Sequence, residues 1–337
     1  MGLSLKALFD AGQTLRLGLE LIIGEKGLER ELTTARIQKP GLLLTGLLDE
    51  LHSDRIQIFG AAEVGYLNSL KEEKLSRSLE LLRKARVPAI IVTRGLALPD
   101  FLVELCGKNN IPLYRSMLTS SAVIEDVTQY LDERLAPTIT MHGVLVDVLG
   151  VGILLIGKSG IGKSECALDL VSRGSRLVSD DIVIIKKMPP STLFGTSAEV
   201  IRYHIEIRGL GIVNIKDIFG ITAIREQKQM DLVVELVKWE PKSDYERLGF
   251  EENTYEILGV ELPYLKVPVS PGRSVATIVE VAARNQILKI MGHHSARILK
   301  QQLEQVMNSP EKEPESVTDL ESVTDSESVT DKKEAKR

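Results

Sequence analysis

At 337 residues, 43% of them apolar, the chain is too long for one small core, and its length predicts about two domains and a tail in a soluble globular protein. A formal net charge of −5 excludes an overall basic field for nucleic acid, and no apolar run is long enough to span a bilayer. Cys106 and Cys166 lie far apart without metal-type spacing, and Met1 to Asp10 has no signal-peptide layout, so reduced core thiols in a cytoplasmic protein are expected.

From Gly18 to Ile58 short apolar runs alternate with turn signals such as Lys39-Pro40-Gly41, which predicts strands between short helices. Leu67, Leu70, Leu75, Leu79 and Leu82 recur amid Lys, Glu and Arg, so one amphipathic helix is expected over 67–85. A buried strand at 87–93, a helix at 100–108 and a short strand at 111–114 would complete a small α/β domain. Thr93-Arg94-Gly95 and Arg115-Ser116 fall at strand ends, where solvated loop ends are a plainer explanation than a ligand site. A helix over 121–135 leads to Pro137, and the boundary between units 1–131 and 132–308 is placed there.

The second half is denser in signal. Thr138 to Val148 alternates and ends at Gly150, and Val151 to Ile156 is an apolar run, so the two are expected to pair as a hairpin. Gly157-Lys158-Ser159-Gly160-Ile161-Gly162-Lys163-Ser164 follows, matching without mismatch the phosphate-loop pattern of Gly, four residues and Gly-Lys-Ser, with a helix expected from Glu165. Asp180 and Asp181 sit inside an apolar run over 177–185 that reads as a strand, where adjacent carboxylates would point to opposite faces. Residues 201–208 alternate, with Ile201, Tyr203, Ile205 and Ile207 on one face and Arg202, His204, Glu206 and Arg208 on the other, before a tight bend at Gly209-Leu210-Gly211. Strands are expected over 232–239 and 265–269, then Ser270-Pro271-Gly272-Arg273 and a helix over 275–291 stopped by Gly292. Glu-Ser-Val-Thr-Asp recurs from Glu315, Glu321 and Glu327, so 309–337 reads as a disordered acidic repeat tail.

The phosphate loop supplies backbone amides and a helix start for phosphate oxygens, Lys163 for the terminal phosphates and the Ser164 hydroxyl for magnesium. Phosphoryl transfer to a hydroxyl also needs a second acid for the metal and a base for the incoming proton. Asp180 and Asp181 are candidates for those roles, in either order. Through the hairpin, His142 falls near the same phosphates, although an isolated histidine is as well explained as a packing or surface residue.

Met141-His142-Gly143-Val144-Leu145-Val146-Asp147, the Gly-Ile-Gly-Lys-Ser-Glu end of the loop, Leu177-Val178-Ser179-Asp180-Asp181 and Ile205-Glu206-Ile207-Arg208-Gly209-Leu210-Gly211-Ile212 together resemble the bacterial HPr kinase/phosphorylase family. The resemblance weakens before Pro137 and stops near residue 308. It implies an α/β N-terminal domain joined to a phosphate-loop kinase core similar to phosphoenolpyruvate carboxykinase, assembled as a homohexamer. It also implies a cytoplasmic enzyme that uses magnesium and ATP to phosphorylate one seryl residue of the phosphocarrier HPr. The same enzyme would use inorganic phosphate to remove that group as pyrophosphate.

By that resemblance Gly157 to Ser164 hold the nucleotide, Ser164 and Glu206 bind magnesium, and Asp181 exchanges the serine proton, with His142, Lys163 and Arg247 catalytic. Asp180, Arg208, Gly209 and Gly211 belong to the matching segments, and Pro268 with Pro271, Gly272 and Arg273 to a loop important for dephosphorylation. Neither a membrane nor a nucleic acid is expected as partner. Lys158 departs from the pattern, standing where many relatives carry an acid, which bears on phosphate affinity or metal dependence. Two other readings are a small-molecule kinase or carboxykinase on the same core, and a nucleotide-binding regulator without transfer activity. The segment 205–212 speaks against the first. His142, Lys163, Asp181 and Arg247 speak against the second, since a sensor needs no base.

Overall fold

The computed structural model describes residues 2–14, 17–45, 52–240 and 253–308. The expectations for Arg247 and for the repeat tail fall outside the described residues.

The first half is built on a sheet ordered β2-β7-β6-β5-β4. Its strands are β2 (Glu20–Ile23), β4 (Ile37–Gln38), β5 (Ile56–Phe59), β6 (Ile90–Val92) and β7 (Leu113–Arg115), preceded by β1 (Leu3–Ser4), which pairs with β3 (Glu31–Leu32). β4 to β7 run parallel and β2 closes the edge antiparallel to β7. Helices α1 (Leu5–Thr14) and α5 (Ser120–Leu135) cover one face, burying Leu5, Leu8, Val123, Val127 and Leu131 against Ile56, Ile58 and Ile91. Helices α2 (Ala61–Ser69), α3 (Glu72–Ala85) and α4 (Asp100–Asn109) cover the other through Val64, Leu67, Leu82, Leu102 and Cys106. Both faces are covered, so β5 and β6 are buried at every position rather than alternately, with Gln57 the one polar side chain among them.

The helix expected over 67–85 is in fact two. Leu70 is extended (φ −77°, ψ 142°) and α3 begins afresh with Glu72 and Glu73 in its first turn, where acids answer the exposed amides of a helix start. Leucine spacing ran unbroken across this corner and concealed it. The strand expected over 87–93 is shorter, Ile90–Val92, with the Ala89 carbonyl accepting from Gln57 and the Thr93 amide donating to Phe59 at its two ends.

The second half has three layers. A six-stranded sheet, ordered β11-β9-β10-β17-β19-β18, contains β9 (Val144–Val148), β10 (Val151–Gly157), β11 (Arg176–Ser179), β17 (Leu232–Lys238), β18 (Thr254–Ile257) and β19 (Val260–Val269). Helices α6 (Lys163–Ser172) and α8 (Val275–Ile290) pack on one face, with Cys166, Ala167, Leu170, Val279 and Ala283 against Val146, Ile153, Leu155 and Val234. Helix α9 (Ser295–Asn308) follows α8. On the other face lies a four-stranded sheet, β16-β13-β12-β8, made of β8 (Thr138–His142), β12 (Ile182–Met188), β13 (Thr192–Ser197) and β16 (Gln227–Gln229). Leu145, Leu154, Val183, Ile185, Met230 and Val233 fill the space between the sheets.

The expected hairpin into the phosphate loop is present: Val148 pairs with Val151 across Leu149 and Gly150, both at positive φ, and β10 is antiparallel to β9 but parallel to β17. Only Val144–Val148 belongs to it, because the chain changes sheets after His142, and β8 pairs with β12 instead. The acid pair is likewise not inside a strand. Asp180 and Asp181 form the step from β11 to β12, with Asp181 at φ 63°, a left-handed conformation that Asp tolerates better than most residues.

The strand expected over 201–208 starts only at His204, because Tyr203 has φ 69° and 199–201 is a short 3-10 turn. From there β14 (His204–Ile207) folds back onto β15 (Gly211–Asn214), and α6 packs on this hairpin; a short helix, α7 (Ile215–Phe219), leads away.

Candidate active site

The site lies where β10 ends and α6 begins. A Cβ on Gly157 would come within 2.4 Å of the Leu236 carbonyl oxygen on β17, so only glycine lets the strand turn out here, and φ 140° asks for it too. The loop then curls so that Lys163 Nζ donates to the carbonyls of Gly157 (3.0 Å) and Lys158 (3.2 Å), spanning its mouth. The Lys158 side chain is exposed. Cys166, one turn into α6, is buried, and burial pushes its thiol up to about 12. It is a core residue.

Asp180 is 5% exposed and joins two parts of the site. One carboxylate oxygen accepts the Ser164 hydroxyl at 2.8 Å; the other accepts the Glu206 backbone amide at 3.0 Å. Burial raises its pKa, and these two hydrogen bonds pull in the opposite direction. Since Ser164 donates to Asp180, its oxygen lone pairs are left for the cleft. Glu206 extends from β14 on the exposed side of the alternation while Ile205 is buried.

Asp181 turns the other way. Its side chain is 73% exposed and stands 3.5 Å from His142 Nδ1. The backbone fixes this pair: Ile182 is registered opposite His142, and the Gly143 amide donates to the Asp181 carbonyl at 2.9 Å. The sequence expectation that the two acids diverge is met, although by a turn and not by strand alternation.

Ser159, Lys163, Ser164, Asp181, Glu206 and Arg208 line a common cleft of about 130 Å³, together with Glu165 and Val144, which sequence reasoning did not single out. Gly209 and Gly211 both have positive φ and close the β14–β15 turn, which carries Arg208 to the cleft. Pro268 sits on β19 opposite Val237, one strand beyond the loop's neighbour β17. Neither it nor Pro271, Gly272 or Arg273 lines the cleft.

Among the described residues no three His, Cys, Asp or Glu side chains converge into a metal cage. An oxygen pair from Ser164 and Glu206 suits magnesium, which keeps several waters and takes one or two protein oxygens beside those of a phosphate. No helix among the described residues is long and apolar enough to cross a membrane.

A glycine loop between a buried strand and a helix, faced by an exposed acid with a histidine beside it, defines a mixed α/β kinase. Comparison with known proteins gives the particular family. The family model described as HPr Serine kinase C-terminal domain matches residues 133–303, and that described as HPr Serine kinase N terminus matches 3–131; the chain belongs to the HPr serine kinase family. It is 51% identical over 288 residues to the HPr kinase/phosphorylase of Geobacter sulfurreducens, covering 85% of this chain and 90% of the relative. Identity to the HPr kinase/phosphorylase of Brevibacillus brevis is 44% over 278 residues, covering 82% and 89%. The solved structure of the Hpr(Ser) kinase/phosphatase from Coxiella burnetii is similar at 29% identity and a TM-score of 0.43, over 51% of this chain and 99% of that one.

Proposed function

We propose that this chain is a bifunctional kinase and phosphorylase: it transfers a phosphoryl group from magnesium ATP to a serine of HPr, and uses inorganic phosphate to take that group off as pyrophosphate. The observation that carries this is the exposed Asp181 carboxylate, held beside His142 on the same cleft as Lys163, Ser164 and Glu206. A kinase for a protein serine needs a base that the partner's hydroxyl can reach, and a fully buried acid would not serve.

In the forward direction Asp181 accepts the serine proton as the serine oxygen attacks the terminal phosphorus, and the bond to the ADP oxygen breaks. In the other direction a phosphate oxygen attacks the phosphorus of the seryl phosphate and the bond to the serine oxygen breaks. The protonated Asp181 carboxyl then gives its proton to that oxygen, as microscopic reversibility requires. His142 orients the carboxyl in both directions. The loop amides and Lys163 hold the phosphates, and Asp180 aims the Ser164 oxygen at the cleft. Magnesium, held by Ser164 and Glu206, would supply charge neutralisation to the phosphate oxygens.

The units taken here are an N-terminal α/β domain over 1–131, a catalytic domain over 132–308 and a tail over 309–337. Arg247 and the segment from Pro268 to Arg273 are assigned to catalysis by family resemblance alone. The same resemblance supports a homohexamer in the cytoplasm, without nucleic acid or membrane partners.

The test is to incubate the purified chain with magnesium ATP and HPr, and separately with phosphate and seryl-phosphorylated HPr. Transfer is expected each way, with pyrophosphate appearing in the second. Absence of turnover in both directions would overturn the proposal.

A further inference from the structure

The two halves of the chain meet over a cavity of about 390 Å³ that none of the roles above uses. Thr34 reaches it from the connection between β3 and β4, and Asp132 and Leu135 from the last turn of α5. Lys187 and Met188, at the end of β12, and Pro190 beyond them form the facing wall. Small molecules bind in clefts of this size between structural units, where an apolar lining carries a few polar groups.

Two opposite charges line this cavity, and among the described residues they do not pair with each other. Asp132 is half-buried and has no hydrogen bond or cation among those residues; Arg134, two positions on, lies over the Tyr130 ring instead, 5.5 Å from its centroid. Burial pushes the Asp132 carboxyl pKa up, as it does for an acid withdrawn from water without a partner. Lys187 Nζ donates to the Leu258 carbonyl at 3.0 Å, which leaves two of its three hydrogens. An unanswered carboxylate and a part-free ammonium, set against proline, leucine and methionine, are the complement of a molecule with both charges and an apolar body.

We propose that this cavity binds a small zwitterion with an apolar side chain, the chemistry of a free apolar amino acid. Its ammonium is held at Asp132, its carboxylate at Lys187, and its side chain against Leu135, Met188 and Pro190. The position gives the site reach. β8 begins at Thr138, beside the cavity, and ends at His142, while β12 starts next to Asp181 and ends at the cavity. The Lys187 amide donates to the Pro137 carbonyl at 2.9 Å, closing this two-stranded ribbon at the cavity end as the Gly143 amide closes it at Asp181. A ligand in the cavity therefore bears on both strands that carry the His142–Asp181 pair.

Calorimetric titration of the full chain with L-phenylalanine, phenethylamine and 3-phenylpropionate tests this, the last two each lacking one charge. Saturable binding of L-phenylalanine is expected, with each single-charge probe at least about tenfold weaker, the range for a lost charge-assisted contact. Asp132→Asn should weaken L-phenylalanine by at least about tenfold and leave 3-phenylpropionate within about twofold. Because Asp132 holds no partner, this variant should melt with the wild type. At saturation with L-phenylalanine, amide hydrogen exchange should slow in 138–142 and 182–188. Absence of saturable L-phenylalanine binding, equal affinity in the Asp132→Asn variant, or slowed exchange only outside those two strands would overturn the inference. No nucleotide enters these measurements, so failure of the proposed phosphoryl transfer would be seen separately.

Discussion

Replacing Asp180 separates what the buried carboxylate does for the fold from what it does for the magnesium proposed at Ser164. The wild-type side chain accepts the Ser164 hydroxyl and the Glu206 amide. Asp180→Ala removes both acceptors from a site only 5% exposed; with hydrogen bonds to a charged group worth roughly 1.5–3 kcal/mol each, offset in part by relief of burying the charge, a loss of about 3 kcal/mol is expected. For a domain of this size that lowers Tm by roughly 6–12 °C.

Asp180→Asn behaves differently. Its carbonyl can still accept from Glu206, and its amide can donate to Ser164, so stability near neutral pH should stay within about 1 kcal/mol of wild type. The polarity at Ser164 is reversed, however: its oxygen now accepts from Asn and its own hydrogen turns to the cleft. Magnesium affinity should then fall by roughly ten- to hundredfold, as for other residues that orient a metal ligand.

The pH dependence carries a sign. Folding raises the Asp180 pKa, so the folded state keeps a proton that the unfolded chain gives up. This group's contribution is therefore most favourable below its unfolded pKa and declines as pH rises through the folded one, and Asn removes that decline. Thermal melts from acid to neutral pH and magnesium titrations of nucleotide binding measure the two effects. An Asn variant that binds magnesium like wild type, or that melts as low as the Ala variant, would refute this account of Asp180.

Asp181→Asn should abolish transfer in both directions while nucleotide affinity stays within about twofold, because the side chain is exposed and pairs with His142 rather than with a loop residue among the described residues; calorimetry beside a transfer assay separates this from a metal-binding role. Lys163→Ala should weaken ATP binding and slow both reactions by at least about tenfold, and it also removes the ammonium that spans the loop mouth, so a rise in protease sensitivity near Gly157 is expected. Gly152→Ala would set a Cβ 1.8 Å from the Gln229 carbonyl oxygen, which no rotamer relieves, and should cost at least about 3 kcal/mol in denaturant unfolding.

Much of the site was legible because its parts are contiguous. The apolar run of β10, the glycine loop and the start of α6 are adjacent in sequence, and the motif carries its own structural requirement. The proximity of His142 to Asp181 was harder to read. It was expected through a single long hairpin, but it arises from β8 pairing with β12 in a different sheet. Alternation along 138–148 continues through the change of sheet, and nothing local marks it except Gly143. Asp181 and Tyr203 hid for a related reason, since both sit at positive φ within apolar alternation that reads as strand. The role of Asp180 depends on a contact with Glu206, 26 positions away, which no spacing rule reports.

The chain passes between the two C-terminal sheets twice at nearly one point, at Gly143 and at Asp180-Asp181, and the Gly143 amide is bonded to the Asp181 carbonyl. Mechanically this is a seam. The phosphate loop is rooted in one sheet, whereas His142 ends a strand of the other and Asp181 lies on the stitch itself. A load that rocks the sheets against each other is therefore felt as a change in the distance from Asp181, the proposed base, to the phosphate loop. A partner or effector gripping the edge strand β16 would have leverage on the proposed chemistry without entering the cleft.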